Sequence, residues 1–135
     1  MNKLNKQDYQ SLSDFRYRLR TFQRHSENIC KAHGLTSLQY LLLLHLRGFP
    51  GREWATISEL SEKLQAKHHG TVMLVDRCCD LGLVERRESI TDKRCVEIHL
   101  LLRGEEIVDS IAWQHRPELE LLEHEFSLVR PEKEF

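Results

Sequence analysis

Glycine and proline are scarce, with six and three among 135 residues, so few positions force a helix to stop or the backbone to turn. That excludes collagen-like, linker-rich and low-complexity architectures. Long hydrophobic runs are missing as well. A run such as Leu41 to Leu44 is far too short to span a bilayer, and the N-terminal MNKLNKQDYQ lacks the apolar centre of a signal peptide, so no membrane association and a cytoplasmic location are expected. Charge of one sign is lacking: 20 basic and 21 acidic residues leave a net charge of −1, which excludes a protein that coats nucleic acid by bulk electrostatics. The four cysteines, Cys30, Cys78, Cys79 and Cys95, show no CxxC spacing, so neither a disulfide framework nor a zinc ribbon is implied. There is no GxSxG, HExxH, Walker-type or GxGxxG motif; neither an enzyme nor a bound cofactor is expected. Cys30 and His33, with His25 nearby, have helical spacing, but no carboxylate joins them, and a metal site is not expected.

What remains is a helix-rich chain whose size suits one domain, expected to occupy 1–135. Leu12, Phe15, Leu19, Phe22 and Ile29 recur at the spacing of one helical stripe, predicting a long amphipathic helix closed near Gly34. Thr36 with Gln39 reads as a capping box opening a second helix through Leu38, Leu41, Leu42 and Leu46, which Gly48, Pro50 and Gly51 close. Thr56 with Glu59 forms another such box before Leu60 and Leu64, and Lys67 to Leu81 reads as a further helix with Val72, Val75 and Cys79 on its apolar face and Gly82 just beyond.

The period then changes to two. Val96, Ile98 and Leu100 alternate with Glu97 and His99 in Cys95 to Leu101, predicting a half-buried strand, and Leu83 to Glu88 supplies an antiparallel partner across the polar turn Ser89 to Arg94. Gly104 to His115 is helical again, with Ile107, Val108 and Ile111 inward; Pro117 breaks or restarts it, and Glu118 to Phe126 forms a last short helix. The predicted fold is mainly α with a small antiparallel β-hairpin wing.

Two short helices joined tightly, the second with a polar first turn, are the arrangement that lets a helix enter the DNA major groove. Here that turn presents Lys67, His68, His69, Gly70 and Thr71: a cation, imidazole donors, a close backbone approach and a hydroxyl. The hairpin turn carries Asp92, Lys93 and Arg94 above Arg86 and Arg87. A thin basic protrusion of this kind suits the minor groove.

The run Ile57-Ser58-Glu59-Leu60, the segment HHGTVMLVDRCCDLGLVERRES, the turn TDKR and the stretch VEIHLLLRGEEIV resemble the MarR family of winged-helix transcription regulators over about residues 10 to 126. The most specific part is the ordered set Val75-Asp76-Arg77, Leu81-Gly82-Leu83-Val84, Arg86-Arg87 and Asp92-Lys93-Arg94. The resemblance implies a symmetric homodimer, with dimerisation helices at 8–33 and 103–126 around a DNA-binding lobe at 36–102, on a pseudo-palindromic duplex operator. It implies that Lys67 to Thr71 enter the major groove, that Arg94 reaches the minor groove, and that Asp92 steadies the wing with Arg77 as its partner. Two departures stand out: Leu100-Leu101 replaces the family's common Leu-Thr before the following helix, and Pro117 interrupts the C-terminal helical region.

A repressor released by a small effector is the expected mode, and in the family such ligands sit between the dimerisation helices and the lobe, which points to His25, Tyr40 and Trp113 as lining residues. Two alternatives share the fold: a winged helix that binds protein and not DNA, and a DNA-binding sensor acting through its thiols or a metal. Opposite charge at the two ends, seven basic against three acidic residues in 1–33 and three against six in 115–135, favours contact between those ends.

Overall fold

The structure, a computed structural model, describes residues 2–124, with side chains to residue 120. The first element, α1, runs Lys6–Ala32. Its start is fixed by Asn5, whose side chain accepts from the Asp8 N–H at 2.9 Å while Asp8 accepts in return from the Asn5 N–H at 3.0 Å. Twenty-seven residues make a rod about 40 Å long. It ends where Gly34 takes φ +78° and the Leu35 N–H reaches back to the Cys30 carbonyl at 3.0 Å, a left-handed termination that glycine adopts without steric cost.

Helices α2 (Ser37–Arg47) and α3 (Ile57–Leu64) both open on the reciprocal caps expected at Thr36/Gln39 and Thr56/Glu59. Each cap satisfies backbone donors that would otherwise have no partner. Between them lies β1, Trp54–Ala55, which has no counterpart in the expected hairpin. α4 covers His68–Asp80, flanked by Lys67 and Leu81 as its caps, and Gly82 follows at φ +73°.

β2 (Val84–Glu88) and β3 (Val96–Leu100) form the antiparallel hairpin, with Arg86 opposite Ile98. β1 pairs with the other edge of β3, so the wing is a three-stranded sheet in the order β1-β3-β2. Its inner residues Val84 and Ile98 are buried, and Val96, expected to share that side, is 38% exposed near the tip. α5 (Leu102–Gln114) begins at Leu101 with no side-chain cap; the Leu101 N–H instead donates to the Leu83 carbonyl at 2.9 Å. α6 starts at Pro117 and runs to His124. Proline suits a first helical position, where its missing N–H costs nothing. Phe126, the expected end of this helix and of the C-terminal dimerisation segment, lies outside the described residues.

The core is drawn from nearly every element: Leu42, Leu43 and Leu46 of α2, Leu60 of α3, Val75 and Cys78 of α4, Leu83, Val84 and Ile98 around the sheet, and Val108 and Ile111 of α5. From α1 only Cys30 is buried. Gly104 is where α5 crosses the end of the α4–β2 connection. A Cβ there would lie 2.1 Å from the Leu83 carbonyl oxygen, so close an approach that only glycine fits.

Candidate nucleic-acid interface

The turn between α3 and α4 contains Gln65, the one non-glycine residue at positive φ (52°) among the described residues. Its side-chain amide donates to the Glu62 carbonyl at 2.7 Å, and the Ala66 N–H donates to the Ser61 carbonyl at 3.0 Å. These bonds hold a non-glycine residue in a region it rarely occupies and keep the connection to three residues. Lys67 makes no side-chain cap bond to α4, so the first-turn N–H groups of that helix receive nothing from it, and the positive end of the helix dipole faces outward.

The faces of α4 sort the expected contact residues. His68, His69, Gly70 and Arg77 are exposed, as is Lys67 before them. A Cβ added at Gly70 would meet nothing within 4 Å; its backbone is open to close approach. Thr71 corrects the sequence expectation, because it is fully buried. Its hydroxyl donates to the Lys67 carbonyl at 3.0 Å and accepts from the Ser61 hydroxyl at 2.9 Å. Thr71, Val75 and Cys78 form the inward face, in steps of four and three, so Thr71 packs α4 on α3 and offers no group to a groove. Val72 and Cys79, expected inward, are half-buried at the margins of that face.

The wing's charges are also redistributed. Arg86 forms an ion pair with Asp76 of α4 and a 3.4 Å hydrogen bond to the Cys79 sulfur. Arg87 is paired with Glu85 and lies 3.4 Å from His99 Nδ1. Both arginines at the base are therefore matched by carboxylates, and the Asp76–Arg86 pair links the wing to α4. Nothing in the local sequence signals that pair, since its members lie ten positions apart on different elements.

At the tip, Asp92 accepts from the Arg94 N–H at 3.0 Å and from its Nε at 3.2 Å. The resemblance implies Arg77 as the partner of Asp92; the structure gives Arg94 instead. Those bonds hold the Asp92 carboxyl below the usual carboxylate range. Arg94 nevertheless keeps 91% of its side chain in solvent, and Lys93 beside it is exposed. The outward positive charge of the wing is thus concentrated at these two residues.

A family model described as MarR family matches residues 33–94. Over 69 residues the chain is 39% identical to an uncharacterised HTH-type transcriptional regulator, YsmB, of Bacillus subtilis (strain 168), a match covering 47% of each protein, so it spans about half the length of that curated relative. The chain is thus similar to MarR family proteins over its winged-helix lobe. Among solved structures, AbsC, a MarR family transcriptional regulator from Streptomyces coelicolor, superimposes with a TM-score of 0.78 at 20% identity over 98% of this chain and 87% of that one. A variant of S. aureus MepR bound to an oligodeoxyribonucleotide gives 0.64 at 18% identity over 97% and 88%. The MarR-like winged helix is shared with both.

The residues expected to line an effector site occupy three different environments. Tyr40 is buried and stacks on His115 with ring centroids 5.0 Å apart; it offers no open surface, contrary to expectation. The His115 Nδ1 donates to the Ile111 carbonyl at 2.8 Å, and its Nε2 is hydrogen-bonded with the Ser26 hydroxyl at 2.7 Å. Trp113 lies on the surface beneath the Arg116 guanidinium, 4.0 Å from its ring centre. His25 is exposed on α1. Sequence spacing indicated none of the Ser26–His115–Tyr40 contacts, which join α1, α5 and α2 across long separations.

The surroundings of the four thiols favour their protonated form. Burial pushes Cys78 up to about 12 and raises Cys30 and Cys79, while the neighbouring Asp92 carboxylate raises Cys95. A thiol acts as nucleophile or ligand through its thiolate, and each of these shifts disfavours that form. Among the described residues no three His, Cys, Asp or Glu side chains converge as a metal site would require.

Proposed function

We propose that this protein is a transcription regulator whose homodimer binds a pseudo-palindromic duplex operator. The carrying observation is that one rigid lobe holds two outward DNA-suited features, the α4 face of Lys67, His68, His69, Gly70 and Arg77 and the wing cations Lys93 and Arg94, with Asp76–Arg86 linking them. A helix in the major groove and a tip in the adjoining minor groove give positioning and base readout together. The oligodeoxyribonucleotide bound to the MepR variant supports the same reading.

Dimerisation rests on the apolar face of α1, where Tyr9 and Leu12 are exposed, with segments 8–33 and 103–126 as the pairing helices of a single domain at 1–135. Repression with release by a small effector is the finer part of the proposal. Its structural support is the Ser26–His115–Tyr40 contact between the arm and the lobe, where a ligand that binds two arrangements unequally would shift one toward the other. The raised thiols speak against the oxidant-sensor alternative. The reading assigns no catalytic residue and puts the protein in the cytoplasm with its DNA.

Selection of duplexes from a random pool by the full-length protein tests the proposal. The expected product is a two-fold sequence whose half-sites are about one helical turn apart. Recovery of no sequence above background overturns it in favour of a protein-binding winged helix.

A further inference from the structure

Ile90 is 99% exposed, against 70% for Leu102, the next most exposed large hydrophobic among the described residues. A single exposed apolar side chain is ordinary on a protein surface. The setting of this one is not. Ser89, immediately before it, is buried; its N–H donates to the Cys95 carbonyl at 3.1 Å, and its hydroxyl oxygen accepts from the N–H groups of Thr91 at 3.3 Å and Asp92 at 3.2 Å. The Cys95 N–H closes the turn on the Asp92 carbonyl at 3.0 Å. Ile90 is therefore held out by a turn whose backbone is tied on both sides. Turn tips ordinarily carry Gly, Asn, Asp, Ser or Pro, and a β-branched aliphatic gains nothing there from packing within the chain.

Resting on the reading of this protein as a DNA-binding regulator, we infer that Ile90 is a DNA-contact residue that packs against the deoxyribose walls of the minor groove beside Arg94. The charge next to it selects the partner: Lys93 is exposed and Arg94 keeps 91% of its side chain in solvent. The minor groove, about 6 Å wide, admits a thin tip; its negative potential attracts the cation, and its sugar C–H walls take an aliphatic side chain. Because the turn is already tied, little ordering entropy opposes the contact. Ile90 removes water around Arg94 and adds affinity without reading a base.

The test compares Ile90→Ala, Ile90→Val and Arg94→Ala in the full-length protein, on a duplex recovered from the random pool by the wild type, with affinities measured across a sodium chloride series. Ile90→Ala is expected to weaken binding about tenfold while keeping the wild-type slope of log affinity against log salt, because no counterion is released by an apolar contact. Ile90→Val retains most of the affinity. Arg94→Ala lowers both the affinity and the slope, the latter by about one unit. Since the Ile90 side chain touches nothing within the chain, the melting temperature of Ile90→Ala stays at that of the wild type. Wild-type affinity in Ile90→Ala, with Arg94→Ala impaired, overturns the inference and leaves the regulator reading standing. Loss of self-association by Ile90→Ala in light scattering also overturns it, assigning the side chain to a protein interface. A wild type that recovers no duplex removes both.

Discussion

α1 and α2 carry apolar stripes of the same helical spacing, yet they meet different fates. Leu42, Leu43 and Leu46 of α2 are fully buried by α3, α5 and the sheet, whereas Leu12 of α1 remains 54% exposed and Cys30 is the only residue of that helix in the core. A stripe states that a helix needs an apolar partner; it does not state whether the partner lies in the same chain. The winged lobe closes its core within one polypeptide. The arm offers apolar surface that the proposed second copy would cover.

The sharpest way to break this contrast is a pair of truncations. Leu43→Ala removes a fully buried side chain and is expected to cost about 2–5 kcal/mol, read as a lower urea midpoint. Leu12→Ala, measured on monomer at high dilution, is expected to cost less than about 0.5 kcal/mol. Equal losses would mean that the arm packs within its own chain. A second test acts on the arm directly: Leu12→Asp combined with Leu19→Asp should abolish self-association in light scattering while the near-ultraviolet dichroism of the lobe persists. A dimer surviving that change would reject the interface.

Thr71→Val probes the lobe more finely. It leaves Ser61 without its hydroxyl acceptor and is expected to destabilise by about 1 kcal/mol, with the salt slope of DNA binding unchanged. A lower slope at unaltered stability would return Thr71 to the interface. The smallest effect is expected where arm and lobe meet. Burial raises Tyr40 from 10.0 to about 12, so its contribution to stability is complete below pH 10 and is lost as pH climbs toward 12. Tyr40→Phe should flatten that alkaline limb in denaturant titrations at stepped pH; an unchanged limb would show that another group governs it.

Most helix starts and stops were legible because their causes are local. Thr36/Gln39 and Thr56/Glu59 cap as their spacing implies, and Gly34 and Gly82 turn left-handed just beyond helix ends. The cap at Asn5/Asp8 was missed because the first turns of α1 are polar and no stripe marks its beginning. β1 was missed because two residues are too few to alternate, and their pairing partner on β3 lies more than 40 positions away. The inward place of Thr71 is legible in its spacing, four before Val75, although its polar first-turn position suggests a contact with DNA. The interface charges were the least legible. That Arg86 would pair with Asp76, or Asp92 with Arg94 in place of Arg77, depends on how the hairpin folds back over α4, and sequence spacing carries no account of that angle.

The absence of a side chain at Gly104 has a mechanical meaning. With the Leu83 carbonyl filling the place of its Cβ and the Leu101 N–H bonded to that same carbonyl, the first turn of α5 has no clearance to slip past the hinge point behind α4. A tilt of α5 would therefore press directly on the chain that leaves α4. In a two-fold assembly, the distance between the two reading heads would be geared to the angle at which the arms cross.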